Sequence, residues 1–400
     1  MGKGKEHMGN TTRARAIDGH VTILAMVLVT TVTEAMLLLL PIYIGAIVDF
    51  LPLDAGQVGL LGSADLVGVA LGATSGLFWL RKVDWRKTVL AALLVFSIAN
   101  LCSLGVTAFM PLGSLRLLAG LAAGAAYAVA LAGLCDTSHQ ARNTALMVCG
   151  QVIFGAVGIY LLPLVPDALR LDGVYYYMLA WTAITLAVVW FAFPDNPASE
   201  TVSEPVSLSG YGLPGLLAFG GTGFYFLTVG AVWGYLERIA LEAGMTLAEV
   251  GATLSLGYII SLAGSFGAAW MGTRYGRAWP MIVTGAVQLF MLFLFTRLDH
   301  YDDALGAFLV INAIFQFFWS FIIAYQVVIF NDTDHDGRFI PLYGTAMHIA
   351  LAIGPFAGAF MIDGDSYRPI LWFGMVTLSA CYLMFLGSIW RRKRAVEGSL

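Results

Sequence analysis

Long apolar runs separated by short polar segments dominate the chain from residue 20 to residue 390. A helix needs roughly 20 mostly apolar residues to cross a bilayer, and continuous runs of this kind differ from the short alternating segments of a β-barrel. The pattern predicts twelve spans, at residues 20–50, 57–80, 88–110, 112–134, 143–165, 173–194, 211–241, 247–272, 278–297, 304–330, 339–362 and 368–390. We therefore expect an all-α membrane protein with twelve transmembrane helices.

The composition agrees with this pattern and excludes several classes of protein. Of the 400 residues, 59% are hydrophobic and 12% are charged, and the mean hydropathy is +0.81. A soluble domain carries about 25% charged residues, so a water-soluble enzyme is excluded. The net charge of −4 offers no basic surface for nucleic acid. Four widely separated cysteines form no C-x-x-C pair, so we expect no metal and no cofactor.

The distribution of Lys and Arg predicts the orientation. If the N-terminus is inside, most basic residues fall in cytoplasmic loops and ends, and the opposite side keeps only Arg170, Arg238, Arg297 and Arg368. This is the positive-inside bias of membrane proteins. It predicts cytoplasmic termini, and we expect an integral protein of the plasma (bacterial inner) membrane.

One hydrophilic linker, residues 195–210, divides the chain into halves at 1–194 and 211–400 that repeat each other. The motif D-T-x-H-x-x-R occurs as Asp136–Arg142 and again as Asp332–Arg338, 196 positions later. Parallel repeats of six helices place a binding site near the membrane midplane and permit alternating access by rocking. We therefore expect two pseudo-symmetric six-helix bundles.

Twelve spans, a central linker and this repeat resemble the major facilitator superfamily of secondary transporters. The segment Gly267–Arg277 is similar to the family's G-x-x-x-D-R-x-G-R-R loop, with Thr273 in place of the usual Asp, and Arg116 with Gly120 is similar to its fourth-helix R-x-x-x-G pattern. The resemblance implies a network of charges that gates the cytoplasmic side. Its expected members are Arg81, Arg86, Asp136, Arg142, Arg274, Arg277, Asp332 and Arg338.

Ionisable residues within the apolar runs are candidates for proton coupling, because a charge at mid-bilayer costs about 2.5–3.5 kcal/mol on insertion scales. Glu34, Asp65 and Arg116 lie in the first, second and fourth spans, and His348 lies in the eleventh. We interpret Glu34 or Asp65 as the protonatable carboxylate and Arg116 as the group that stabilises its ionised form. The alternative is a permanent carboxylate–arginine pair that only holds helices together.

A second set of polar and aromatic residues is predicted to line a solute site. Asn312, Gln316, Trp319 and Gln326 share one face of the tenth span, and such a face avoids lipid. Amides and aromatic rings suit a neutral or singly charged organic molecule. The other expected members are Tyr127, Gln151, Trp233, Tyr235, Glu237 and Arg238, and the alternative for each is contact between helices without solute.

These features together predict a secondary transporter, not an enzyme. The fifth span lacks the proline of the family's antiporter motif G-x-x-x-G-P-x-x-G, which favours proton-coupled uptake over export. An antiporter that exports a drug or metabolite is the alternative. We expect a monomer whose partners are a small-molecule substrate, protons and the lipid bilayer.

Overall fold

The computed structural model describes residues 17–195, 212–333 and 340–397, so the predicted linker lies, apart from Asp195, outside the described residues. In these ranges the chain is almost entirely helical. Its fourteen α-helices are α1 (His20–Thr33), α2 (Ala35–Leu38), α3 (Leu40–Phe50), α4 (Ala55–Trp79), α5 (Trp85–Ser103), α6 (Phe109–Cys135), α7 (Gln140–Leu161), α8 (Arg170–Ala192), α9 (Leu213–Glu242), α10 (Leu247–Met271), α11 (Ala278–Phe295), α12 (Ala304–Asp332), α13 (Ile340–Ala359) and α14 (Arg368–Glu397). Ten helices of the described ranges are long and apolar enough to cross a membrane.

The first predicted span, residues 20–50, differs from the prediction, because it consists of three consecutive segments. The segments α1, α2 and α3 are separated by Glu34 and Leu39, whose backbones leave the helical region. Pro41 explains the interruption at Leu39, since proline lacks an N–H and its ring crowds the carbonyl four residues earlier. Before Glu34, the hydroxyls of three threonines hydrogen-bond to carbonyls three or four residues back, a pattern that bends helices; they are Thr30, Thr31 and Thr33.

The described helices form two compact units. The first contains α1, α2, α5, α6 and α8, and most of α4 and α7. Within it, α5 packs on α6 and α8, and α1 packs on α6 and α8. Trp85, at the start of α5, is fully buried in this core and its indole N–H donates to the Leu80 carbonyl at 2.9 Å. Phe193 and Leu134 belong to the same core.

Backbone-to-backbone packing of α4 on α6 fixes the helix that carries Asp65. A Cβ at Gly68 would lie 2.5 Å from the Leu117 carbonyl oxygen, and a Cβ at Gly124 would collide with the Val69 carbonyl. Small residues at four-residue spacing allow helices to approach this closely, as membrane proteins commonly do. These glycines therefore hold α4 and α6 together backbone to backbone.

The second unit contains α3, the first turns of α4, the end of α7, and α9 to α14. Its centre is α9, which packs on α3, α13 and α14, while α12 packs on α10 and α11. Gly230 and Gly354 bring α9 and α13 together: a Cβ at Gly354 would lie 2.5 Å from the Gly230 Cα. Residues 228–240 of α9 are buried on all sides, and Trp233, Tyr235 and Glu237 lie in this stretch.

Candidate functional site

In the first unit, Asp65 of α4 and Arg116 of α6 form a fully buried pair. Asp65 is 1% exposed and Arg116 is 0% exposed. The nearest approach is 3.7 Å, between Oδ2 of Asp65 and Nη1 of Arg116. That distance is within reach for Coulomb attraction but too long for a hydrogen bond, and Oδ2 has no hydrogen-bond partner among the described residues.

Neutral groups of α5 and α8 hold the Arg116 guanidinium. Its Nη1 donates to the side-chain oxygen of Asn100 at 2.9 Å, and its Nη2 donates to the Ser103 hydroxyl at 2.7 Å and to the Ala99 carbonyl at 3.3 Å. The Tyr175 ring lies under the guanidinium, 4.6 Å from its central carbon, within the range of a cation–π contact. The position of Arg116 therefore depends little on the charge of Asp65.

The other predicted residues of this unit are buried or partly buried. Glu34 occupies the interruption between α1 and α2 and is 6% exposed. Tyr127, on α6 eleven residues after Arg116, is also buried. Gln151 of α7 is half-buried and donates to the Thr30 carbonyl at 3.3 Å. Gln151 thus joins α7 to the bent part of α1.

In the second unit, the amides of α12 point into the protein, as the helical spacing predicted. Asn312, Gln316 and Gln326 are each 0% exposed. Asn312 donates to the Thr253 carbonyl at 3.1 Å, which joins α12 to α10. The side-chain oxygens and nitrogens of Gln316 and Gln326 have no hydrogen-bond partner among the described residues. Buried polar groups are normally paired, so two such glutamines on one helix are unusual.

Aromatic rings of α9, α10 and α12 lie close to one another in the same unit. The Trp233 ring of α9 lies 5.1 Å from Tyr258 and 6.1 Å from Trp319, measured between ring centroids. The indole nitrogen of Trp319, a donor, has no partner within the described part of the chain. Unpartnered donors and acceptors beside ring faces can bind a molecule that has both hydrogen-bonding groups and a flat or apolar face.

At another place in the second unit, Glu237 and Arg238 of α9 form a charge cluster with Asp49 of α3. The Arg238 guanidinium donates to both carboxylate oxygens of Asp49, at 2.6 and 2.9 Å, and to Glu237 at 2.6 Å. Glu237 is 1% exposed and packs against Gly45, where a Cβ would collide with its carboxylate. The Arg238 guanidinium therefore forms ion pairs with two carboxylates, those of Asp49 and Glu237. Because α3 packs on α9 at this cluster, the contact joins an early segment of the chain to a late one.

Tyr235 and His348 already have partners of their own. The Tyr235 hydroxyl donates to the Pro355 carbonyl at 3.0 Å, and its ring stacks on Tyr367. The Nδ1 of His348 lies 2.8 Å from the Gly344 carbonyl, one turn earlier on α13. These contacts tie α9 to α13 and hold the His348 ring; a role for Tyr235 in solute binding and for His348 in coupling stays a prediction.

Four of the predicted gate residues form two equivalent ion pairs, one in each unit. Arg81 binds both oxygens of Asp136, at 2.5 and 3.0 Å. Arg277 binds both oxygens of Asp332, at 2.5 and 2.9 Å. Each pair spans 55 residues of sequence, and the second pair lies 196 positions after the first. The repeat read from the sequence thus extends to the contacts of its charged residues.

The remaining gate residues have different neighbours. Arg86 donates to the Phe193 carbonyl at 2.7 Å and pairs with Asp195 at 3.0 Å. Arg142 contacts the neighbouring Asn143, and Arg274 lies over the Trp270 ring. Arg338 lies outside the described residues. The predicted network therefore consists, in the described part, of two separate pairs and additional local contacts.

Sequence reasoning missed two groups of residues in these sites. Asn100 and Ser103 hold Arg116, and they stand three residues apart in an otherwise apolar stretch of α5. That spacing was a usable signal, since polar residues at i and i+3 share a helix face. Asp49 was missed as the partner of Arg238, because it stands at the end of its span, where an acid needs no partner.

Comparisons with known proteins bear on the fold. The family model described as Major Facilitator Superfamily matches residues 218–399. The nucleoside transporter NupG, at 9% identity, has a TM-score of 0.73 and covers 93% of this chain and 98% of its own. The xylose transporter XylE from E. coli, in a partially occluded inward-open conformation, has a TM-score of 0.68 at 14% identity and covers 93% of this chain and 97% of its own.

A third solved structure, described as giving insights into substrate recognition in proton-dependent oligopeptide transporters, has a TM-score of 0.71 at 14% identity. It covers 93% of this chain and 99% of that one. No curated protein matches the sequence. At these identities the structures establish the fold alone, and the family model, which matches 182 of the 400 residues, supports the family resemblance drawn from the sequence.

Proposed function

We propose that this protein is a secondary transporter of the Major Facilitator Superfamily, as the match over residues 218–399 supports, and that it moves a small organic solute across the membrane together with protons, as a symporter. The carboxylate of Asp65 is the proposed proton carrier. Of all the contacts described above, the loose pairing of Asp65 with Arg116 is the observation that carries this proposal.

The geometry favours a titrating carboxylate over a permanent ion pair. A permanent buried pair needs close hydrogen bonds to offset the cost of desolvating both charges. Here the Arg116 guanidinium donates hydrogen bonds to Asn100, Ser103 and the Ala99 carbonyl. Oδ2 of Asp65 lies 3.7 Å from Nη1 of Arg116. Asp65 can therefore gain or lose a proton while Arg116 keeps its position.

Proton transport in reconstituted vesicles tests this assignment. We expect Asp65→Asn to abolish solute accumulation driven by a pH gradient while solute exchange without a gradient continues. Asp54→Asn is the matched control, because Asp54 stands on the same stretch of chain, caps α4 at the surface through Gln57, and Asn caps equally well. Full gradient dependence in Asp65→Asn would contradict the proposal, and loss only in Glu34→Gln would move the role to Glu34.

The proposed solute is an uncharged or singly charged molecule with a ring and several hydrogen-bonding groups. Support comes from the unpartnered amides Gln316 and Gln326 and from the indole nitrogen of Trp319, beside the rings of Trp233 and Tyr258. Structural relatives are described as transporters of a nucleoside and of xylose, both of which have this chemistry. Neither relative fixes the solute of this chain, since their identities are only 9% and 14%.

A thermal-stability screen of the purified protein tests the solute class. Xylose, uridine, alanine and benzoate represent sugars, nucleosides, amino acids and aromatic acids. A molecule that binds the folded state raises the melting temperature, by an amount set by its concentration relative to Kd. We expect a shift with the sugar or the nucleoside that is lost in Gln316→Leu. A shift produced only by the amino acid or by the aromatic acid would contradict the proposed class.

The proposed arrangement in the membrane follows the sequence. The two halves, residues 1–194 and 211–400, would each form a six-helix bundle, with both termini in the cytoplasm of a bacterial inner membrane. The distribution of Lys and Arg supports this orientation. A cysteine introduced in the linker at Ser203 should react only with membrane-permeant maleimides in intact cells; reaction with an impermeant one would reverse the orientation.

Export by proton antiport is the second candidate. The direction of solute movement under an imposed pH gradient separates the two modes. A symporter accumulates solute in vesicles with an acidic exterior, whereas an antiporter accumulates it in vesicles with an acidic interior. The absence of proline from the Cys149–Gly158 segment favours symport.

A further inference from the structure

A cleft in the second unit combines three basic side chains with apolar walls. It has a volume of about 340 Å³ and lies between the ends of α12 and α14. Arg277, Arg392 and Lys393 supply the positive charge, and Asp332 supplies one negative charge. Ile329 and Ile389 provide the apolar part of the lining. Counting formal charges, the cleft carries an excess of two positive charges.

The two arginines are held in position before any ligand arrives. Arg277 and Arg392 both bind Asp332, the latter at 2.9 Å. Their side chains nevertheless remain 37% and 38% exposed. A guanidinium has five N–H donors, and these contacts occupy only some of them. The remaining donors are thus fixed in space by the shared carboxylate and are open to an anion.

The cleft lies at the end of a helix that is longer than the hydrocarbon core. The apolar helix Arg368–Lys393 has 26 residues, about 39 Å at 1.5 Å per residue, against a core of about 30 Å. Trp390 is half-exposed, with the Arg391 guanidinium over its ring. Tryptophan beside basic residues is typical of the headgroup region of a bilayer. The chemistry at that depth is that of phospholipid phosphates.

We propose that this cleft binds the phosphate group of an anionic phospholipid, with Arg277, Arg392 and Lys393 contacting the phosphate and Ile329 and Ile389 contacting the start of the acyl chains. The hydroxyls of Thr333 and Ser388 already donate to backbone carbonyls, so the cations provide the recognition. Free inorganic phosphate has the same charged group but no acyl chain, and it would not use the apolar walls.

Native mass spectrometry of the purified full-length protein tests the proposal. The protein is titrated with phosphatidylglycerol, which is anionic, and in parallel with phosphatidylcholine, which is zwitterionic. We expect preferential retention of phosphatidylglycerol, weakened about fivefold in Arg392→Gln or Lys393→Gln, as loss of one basic contact near a membrane surface implies. Lys393→Gln leaves the Arg277–Asp332–Arg392 contacts in place and guards against a folding defect.

The matched control is Arg391→Gln. Arg391 is adjacent and exposed and does not line the cleft, so it loses the same charge without losing a contact to the phosphate. Equal weakening in Arg391→Gln would show attraction by a general basic surface and would overturn the proposal. Competition by inorganic phosphate at millimolar concentration would also overturn it, because it would identify a site for free phosphate.

Discussion

Replacing Gln316 by leucine should make the solute-free protein more stable, because the structure leaves both ends of this amide unpaired. Gln316 is 0% exposed, and neither its Nε2 nor its Oε1 has a partner among the described residues. Each unsatisfied buried polar group costs about 1–3 kcal/mol. Leucine has a similar volume and no polar atom. Allowing for a water molecule that partly satisfies the amide, we expect a gain of about 1–3 kcal/mol.

Gln288 provides a matched control in the same unit. It is 1% exposed, its Oε1 accepts from the Tyr382 hydroxyl at 2.5 Å, and its Nε2 lies 3.5 Å from the Tyr225 hydroxyl. Gln288→Leu leaves the Tyr382 hydroxyl without its acceptor, and we expect a loss of about 1–3 kcal/mol. The two substitutions are chemically identical, so their opposite signs would isolate the effect of pairing.

The assay is the free energy of unfolding in mixed micelles, obtained by titration with SDS and followed by tryptophan fluorescence. The same proteins are then melted with the solute found in the screen. Gln316→Leu should be the more stable protein without solute and should lose the solute-induced shift in melting temperature. If Gln316→Leu is as destabilising as Gln288→Leu, then Gln316 has a structural partner and the argument for a solute-binding amide is refuted.

Three further outcomes are expected. Arg238→Gln removes the cation shared by Asp49 and Glu237 and should cost about 3–5 kcal/mol in the SDS titration; little or no cost would show that the cluster is not coupled to folding. In the same titration, Gly124→Ala should lower the free energy of unfolding by about 1–3 kcal/mol through overpacking. Gly223 has open space around it, so Gly223→Ala should be neutral or stabilising. Equal effects of the two substitutions would contradict the close helix contact. The hydrogen bond from Arg368 is the largest of the causes that lower the pKa of Asp299. The ionised carboxylate therefore contributes to stability above about pH 4, the ordinary pKa of an aspartate. This contribution is lost as the pH falls through the lowered pKa. Melting curves of Asp299→Asn should therefore fall less steeply below pH 4 than those of the unmodified protein, and parallel curves would contradict this.

The helices could be predicted well because membrane spans have a simple physical signature. A run of about 20 apolar residues has few alternatives in a bilayer, and each predicted span from the second onward overlaps an observed helix, with ends that differ by up to seven residues, as at 110 against Ser103. The first span was harder, since α1 to α3 are as apolar as a single long helix would be. Only Pro41 and the threonines before Glu34 indicate the interruptions, and their effect depends on local backbone bonding.

The burial of the candidate amides could be predicted, whereas the residues that contact the candidate site residues could not. Helical spacing correctly placed Asn312, Gln316 and Gln326 in the protein interior, because unpaired amides avoid lipid. The same spacing cannot state which distant residue meets which. The contacts of Arg116 with Asn100 and of Arg238 with Asp49 span 16 and 189 residues of sequence, and they depend on how helices pack rather than on any local pattern.

The interruptions of the first apolar run, at Glu34 and Leu39, have a consequence for the carboxylate that lies at one of them. The chain passes from the first unit to the second directly after Leu39. It passes back to the first unit between Ser63 and Ala64, within the unbroken helix α4. At Leu39 the regular helical geometry is interrupted, whereas at Ser63 and Ala64 it continues through α4. Glu34 stands at the first of these interruptions, five residues before Leu39, so a proton arriving at its carboxylate would act where the helix is already broken.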